Sequence, residues 1–381
     1  MTDFDVVVIG GGIAGVSVAY ELSKTHRVAV IEAEAQLAFH STGRSAAMYF
    51  QNYGAGPIRP LTVASYPFLS QPPEGLADGP LLSPRGALWV ARPDQMELLP
   101  GIARAGEATG SRVHELSPEE AREMVPVLRA DRIGGALWEP DPQELDVAAI
   151  HQAYVRGLRR NGGTILTSSP VTALARRREV WHVRAGDSGL TCRMVVNAAG
   201  AWGDVVASFA DIAPVGLRPL RRTAFMVAGE PDWSDWPMVV NAAHEYYFKP
   251  DGSQILCSPA DETPSEPADA RPDPADVALA IERINEATTL DIRSVRSEWA
   301  GLRTFASDGA LVLGPDPAEP TFFWCVGQGG TGIQAAPATA ELLAALVRAD
   351  RPPTHIEEAG VDLGELSPAR PSLHNARLGS R

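Results

Sequence analysis

The sequence predicts an α/β chain of two domains: a parallel, doubly wound sheet, and a mainly antiparallel β domain inserted into it twice. Three observations carry this expectation. Val6-Val7-Val8-Ile9 is a β-branched run that ends at Gly10, followed by helical spacing of small and apolar residues over 13–24 and by a second run, 27–31, closed at Glu32. This is a βαβ unit of about 30 residues, the opening of a parallel sheet. The same texture returns later, with a helix expected over 150–160, strands at 163–166 and 194–197, and a small antiparallel meander at 171–175 and 181–184. Two other intervals hold most of the prolines outside the termini and the aromatic strands 87–90, 223–227 and 246–248.

The expected division follows. Residues 1–80, 146–216 and 301–366 form the first domain, and 81–145 with 217–300 form the second. Dense Pro, Asp and Glu make 259–276 an expected exposed loop, and Pro, Ser and Arg from 367 to 381 mark an expected poorly ordered tail.

At 381 residues, with 45% hydrophobic and 21% charged side chains, the chain is large enough for two domains of roughly 150 residues and excludes a disordered or fibrous protein. A net charge of -14 argues against nucleic acid as a partner, because binding to phosphates is driven by basic surface. Three widely separated cysteines, Cys192, Cys257 and Cys325, fit neither a disulfide framework nor a zinc cluster, so a reducing, cytoplasmic compartment is expected and no metal. The acidic start and the short, glycine-broken apolar run over 6–20 predict neither export nor a transmembrane segment; peripheral membrane association and oligomeric state stay open.

Gly10-Gly11-Gly12-Ile13-Ala14-Gly15 fits G-x-G-x-x-G between strand and helix. The first glycine turns the chain, the second admits a pyrophosphate to the backbone, and the third lets helix and strand pack closely. The helix start offers N–H groups and a positive dipole end to the phosphates. Glu32 stands 22 residues after Gly10, where an acid accepts hydrogen bonds from the adenosine ribose. NAD and FAD share this half. Three further segments point to FAD: the polar loop His40-Ser41-Thr42-Gly43-Arg44-Ser45-Ala46-Ala47, the strand end Val195 to Trp202, which is similar to a second signature of dinucleotide-binding flavoproteins, and a late glycine-rich turn, Gly327-Gln328-Gly329-Gly330-Thr331-Gly332, entering an apolar helix. The fold class is therefore that of a two-domain flavoprotein with a Rossmann-like FAD-binding domain and an inserted β domain for substrate. Candidate contacts to non-covalent FAD are Gly10, Gly12, Ile13, Ala14, Gly15, Glu32, Ala33, Ser41, Thr42, Arg44, Ser45, Ala46, Ala47, Val171, Ala199, Gly200, Trp202, Arg303, Gly329, Gly330, Thr331, Gly332, Ile333 and Gln334.

These segments, with Trp299-Ala300-Gly301-Leu302-Arg303 and blocks such as Asp235-Trp236-Pro237-Met238, run through almost the whole chain, which resembles the D-amino acid oxidase family and, within it, the D-arginine dehydrogenase type. The resemblance implies oxidation of a D-α-amino acid to an imino acid, which hydrolyses to a 2-oxo acid and ammonia, with O2 or a quinone or dye as electron acceptor. It implies that Arg222 and Arg303 hold the substrate carboxylate, that Tyr247 hydrogen-bonds it, that Tyr53 covers it as part of a lid, and that the Gly332 backbone meets the amine. Paired arginines suit a carboxylate on their own chemistry, since each presents a fork of donors. Where the arginine type carries a pocket acid and a histidine, this chain has Ala87 and Met48, and Phe50 replaces a smaller polar residue. With His244 as a further pocket candidate, an apolar or aromatic side chain is expected in place of a guanidinium. The alternative kept open is a flavin oxidase of N-methyl amino acids, glycine or other secondary amines using O2. The sequence holds no G-x-S-x-G or H-E-x-x-H motif, and hydride transfer requires no protein nucleophile.

Overall fold

The structure, a computed structural model, describes residues 2–54, 56–230 and 233–375. The strand Val6–Ile9 lies inside a six-stranded sheet ordered Val312–Pro315, Phe322–Val326, Met194–Asn197, Val6–Ile9, Val28–Ile31, Thr164–Leu166. Its neighbours are parallel on both sides, and only the outermost strand of this sheet, Val312–Pro315, runs antiparallel. A strand paired on both edges and covered on both faces reads as a continuous apolar run, which is why Val6, Val7 and Val8 have no exposed surface. Each such side chain contributes roughly 1.5–3 kcal/mol by leaving water.

Helices cover one face and a meander the other. Helices Ile13–Ser23, Ile58–Ser70, Val147–Arg160 and Gly332–Arg348 pack together over Val6, Val8, Val28 and Val30. Across the sheet, the antiparallel strands Val171–Arg177, Val180–Ala185 and Ser188–Cys192 place Trp181 and Val183 against Val7, Ile9 and Trp324. The chain leaves each parallel strand at the same edge, and the glycine turn after Val6–Ile9 opens there, at the point where its neighbours diverge to either side.

The second sheet has ten strands. In order they are Gln328–Gly329, Ser297–Phe305, Arg218–Ala228, Gln254–Ser258, Tyr247–Asp251, Met238–Asn241, Ala87–Ala91, Gly135–Glu139 and His114–Leu116, with Thr263–Pro264 beside Arg218–Ala228. Every pairing in it is antiparallel except that of Met238–Asn241 with Ala87–Ala91. One face packs on helix Pro274–Ala287; the other carries Trp89, Ala224, Met226, Val240 and Tyr247 towards Ala46, Met48 and Phe50. Ser297–Phe305 runs through residue 301, and Gln328–Gly329 joins the same sheet, so this sheet extends past the boundary expected at 300.

Two expectations need correction. Helix formation starts inside the expected loop, at Pro274, because Asp273 caps the helix through the Ala275 N–H at 2.9 Å and Pro274 fits its first turn. The expected poor order from 367 does not hold for 367–375. Arg370 is 4% exposed there, with Nε and Nη2 donating to the Asp308 carboxylate at 2.7 and 2.9 Å and Nη1 to the carbonyls of Leu311 and Leu366. A buried, saturated guanidinium fixes the segment carrying it. Residues 376–381 lie outside the described residues.

Candidate functional site

The three glycines of the first turn do different work. Gly10 has φ +110°, a conformation that side chains oppose, and a Cβ there would stand 2.4 Å from the Ala198 carbonyl oxygen. At Gly15 a Cβ would fall 1.8 Å from the Gly10 oxygen, so this glycine permits helix and strand to touch. Gly12 differs: its added Cβ would meet only the Thr42 hydroxyl, at 3.1 Å, and its open side faces a cleft of about 450 Å³. The Ile13 N–H donates to that hydroxyl at 3.0 Å, so the loop after the second strand caps the first helix. Glu32 accepts from the N–H groups of Gly11 at 2.7 Å and Glu34 at 2.9 Å. Its carboxylate has about four acceptor positions, so two remain for ribose hydroxyls.

His151, on helix Val147–Arg160, is buried beneath this turn with Nε2 3.0 Å from the Gly11 oxygen. Burial lowers its proton affinity, so it stands neutral, with the Nε2–H tautomer assigned by the carbonyl it meets. No motif marks it.

The loop 41–47 is tied to the second sheet. Ser41 Oγ donates to the Leu302 oxygen at 2.7 Å, and the Trp299 indole N–H to the Arg44 oxygen at 3.0 Å. Arg44 lines the cleft, yet it spends donors on the carbonyls of Phe39, Ala270 and Ala300 and on Asp269. It acts here as a tie. Of the candidate FAD contacts, all but Gly15 and Thr331 line the cleft. Gly15 works through packing, and Thr331 is buried at the start of helix Gly332–Arg348, its hydroxyl donating to the Gln328 oxygen at 2.8 Å. Backbone approach, two helix N-termini and an acid at the ribose end together fit an extended dinucleotide such as FAD.

At the far end of the cleft, register brings the arginines together. Arg222 pairs with Gly301 and Leu220 with Arg303 on neighbouring antiparallel strands, so both arginines project from one face, diagonally placed. Arg222 Nε donates to the Asp261 backbone carbonyl at 2.8 Å and Nη2 to the Glu262 carboxylate at 3.1 Å. Burial, followed by the nearby charge of Arg303, lowers its proton affinity. For Arg303 burial also pulls downward, but Tyr53, Tyr247 and Glu262 outweigh it and the net direction is up. Both stay charged at neutral pH, because a guanidinium titrates far above it. Two neighbouring cations in a partly desolvated cleft make a site for an anion with two oxygens.

The other substrate candidates divide. Met48, Tyr247 and Gly332 line the same cleft as the arginines. Tyr53 accepts a hydrogen bond from Arg303 Nη1 at 2.9 Å and lines a second cavity of about 290 Å³, which shares Gln328 and Gly330 with the first. Phe50, Ala87 and His244 line neither. Phe50 is held through its backbone by Gln334, which accepts from its N–H at 2.9 Å and donates to its oxygen at 3.2 Å. Ala87 is fully buried in the sheet between Met238 and Glu139, and His244 has φ +55° with its ring edge-on to Trp89, centroids 5.4 Å apart. Buried Glu139, Glu262 beside Arg222 and Asp261, whose carboxylate holds Arg221 and Thr223, carried no sequence signal.

The chain is 26% identical over 363 residues to a glycine oxidase of Bacillus licheniformis, covering 90% of this chain and 93% of that protein. It is 22% identical over 262 residues to the mitochondrial dimethylglycine dehydrogenase of Rattus norvegicus, covering 67% of this chain and 30% of that protein. The crystal structure of glycine oxidase from Geobacillus kaustophilus superposes with a TM-score of 0.85 at 22% identity, covering 97% of this chain and 99% of that one, which shows the shared fold. A family model for FAD dependent oxidoreductase, DAO, matches residues 5–346, the span that builds both sheets and the cleft between them. FAD is thus the cofactor, and the chain belongs to the FAD dependent oxidoreductase family.

Proposed function

We propose that this protein oxidises the carbon–nitrogen bond beside the carboxylate of a small amino acid, with glycine and its N-methyl derivatives as the central substrate class. The observation that carries this reading is the convergence of Arg222 and Arg303 on the cleft. The names of the relatives, glycine oxidase and dimethylglycine dehydrogenase, support a small amine over the D-arginine type suggested by sequence blocks alone.

The arginines fix the carboxylate, and Tyr247 adds a hydroxyl on the same wall. The start of helix Gly332–Arg348 presents backbone to the amine side. Bound FAD supplies the acceptor for the hydride leaving the carbon next to nitrogen. The nitrogen lone pair forms the C=N bond, and water hydrolyses the imine to a carbonyl compound and free amine or ammonia. The chain contributes orientation and desolvation, the two effects such a transfer needs most. Oxidation of D-amino acids with apolar or aromatic side chains is the second reading, favoured by the apolar groups Ala46, Met48 and Ala224 in the cleft lining.

Anaerobic flavin reduction tests both. Glycine, N-methylglycine and N,N-dimethylglycine should bleach the flavin faster than D-Leu, D-Phe, D-Arg and the L-enantiomers; fastest bleaching by D-Leu and D-Phe, ahead of glycine, D-Arg and the L-enantiomers, would favour the second reading. Equal bleaching by amines without a carboxylate would remove the arginine clamp from the mechanism. Turnover with O2 or a dye then separates oxidase from dehydrogenase.

A further inference from the structure

Glu139 is a carboxylic acid 1% exposed, with no cation among the groups that set its acidity. Burial raises its pKa, and hydrogen bonds from Trp89 and Asn52 oppose that rise. A buried acid without a counter-ion is costly, so its two partners define what it does. One is the Trp89 indole N–H, at 2.7 Å from Oε1, on the same sheet face. The other is the Asn52 amide, at 3.1 Å from Oε2, on the loop beside Tyr53. Helix Leu99–Glu107 closes over this pair at Gly106, where a Cβ would lie 3.5 Å from Asn52 Nδ2 and 3.6 Å from Glu139 Oε2.

The short segment 50–53 is therefore fastened three times. Gln334, 2% exposed, holds the Phe50 backbone from the helix of the FAD domain. Glu139 holds Asn52 from the antiparallel sheet, and Arg303 holds the Tyr53 hydroxyl. Tyr53 and Arg303 also stand around Gly330, where an added Cβ would be 3.1 Å from both, with Arg303 lining the first cavity and Tyr53 the second.

We propose that Glu139 is a positioning residue for the carboxylate site: through Asn52 it seats the Tyr53 hydroxyl on Arg303 Nη1 and so fixes the orientation in which that guanidinium meets an anion. This rests on the reading of Arg303 as part of the carboxylate clamp. Ala87, directly opposite Glu139 in the sheet, leaves the acid room to reach across to both partners.

The test is calorimetric titration of the FAD-loaded protein with acetate, a carboxylate that carries no amine. Glu139→Leu should weaken acetate binding about tenfold, the effect of one lost hydrogen bond to a charged group. Glu139→Gln should restore most of it, since Asn52 can turn its amide to match the new donor. In a Tyr53→Phe background Glu139→Leu should add nothing, because the path it acts through is already cut. Asn52→Ala leaves the sheet intact and should reproduce the loss if the Leu variant fails to fold. Equal losses in the wild-type and Tyr53→Phe backgrounds, or full-strength binding in Asn52→Ala, overturn the proposal. Arg303→Met separates the two readings: if it leaves acetate binding unchanged, the clamp itself fails, whereas sensitivity to Arg303→Met with none to Glu139→Leu removes the latch alone.

Discussion

The two ends of the cleft are built on different principles. At the nucleotide end, the candidate contacts are mostly backbone and one acid, and many come from segments close in sequence, Gly10 to Gly15, Glu32 and the loop 41–47, joined by Val171, Ala199 to Trp202 and the later glycine turn. At the substrate end the candidates are side chains from separate strands, with Arg222 and Arg303 brought together by antiparallel register and Tyr53 supplied by a loop 250 residues away from its partner. A backbone site tolerates few residue types but many neighbours. A side-chain site depends on every element that aims it.

If that contrast is right, breaking the substrate end should leave the nucleotide end intact. Arg303→Met should lower kcat/KM on carboxylate substrates by about 2–5 kcal/mol in barrier terms, roughly 30- to 5,000-fold, with FAD content unchanged. Steady-state kinetics beside the flavin-to-protein absorbance ratio checks this. Loss of flavin from the variant would mean that the two ends are not separable.

Within the nucleotide end, the glycines should separate as well. Gly15→Ala puts a Cβ against the Gly10 oxygen and should destabilise the fold by about 1–3 kcal/mol, visible as a lower Tm even without flavin. Gly12→Val projects into the cleft, its Cβ meeting only the Thr42 hydroxyl at 3.1 Å, so it should abolish FAD retention while lowering the apoprotein Tm less than Gly15→Ala does. A Gly12 variant that purifies yellow and fully loaded would show that the pyrophosphate does not approach there.

How much was legible follows from the same contrast. The first βαβ unit, the ribose acid and the glycine turns could be read because each lies within a few residues of the element that uses it. The arginines were named through family blocks, and register alone explains why they meet. Glu139 was invisible, since Asn52 is 87 residues distant and nothing near residue 139 signals burial of an acid. The C-terminal segment was misread because Arg370 finds Asp308 62 residues back, a pairing composition cannot show.

Register also changes the expectation at Ala87. From sequence, a carboxylate there should restore a partner for a cationic substrate. In the sheet Ala87 faces Glu139 directly and is fully buried, so Ala87→Glu places two acids opposite each other, away from the described cleft lining. Like charges in that position disfavour ionisation and the fold together. The variant should lose stability by roughly 1–3 kcal/mol and gain no turnover of D-Arg or D-Lys. A clear gain on those substrates would put residue 87 within reach of the substrate after all.

The smallest effect concerns protons on Glu139 itself. Its acidity is weakened by burial first and by the charge of Asp141 in addition, so its folded pKa lies above the ordinary 4.5. Between 4.5 and that raised value the folded protein holds more of this proton than the unfolded chain does. The contribution of this group to stability is therefore fully present below pH 4.5 and is lost as pH rises through the folded pKa. Glutamine has no proton to exchange, so the stability of Glu139→Gln relative to wild type should climb across that window and then level off. Urea midpoints for the two proteins from about pH 4 to about pH 8 measure the difference directly, and the titrations of other acids cancel in it. A difference that stays flat across the range would mean that Glu139 ionises in the folded protein as readily as in the unfolded chain, and that the acid behind the substrate loop is less isolated from water than its neighbours Trp89 and Asn52 imply.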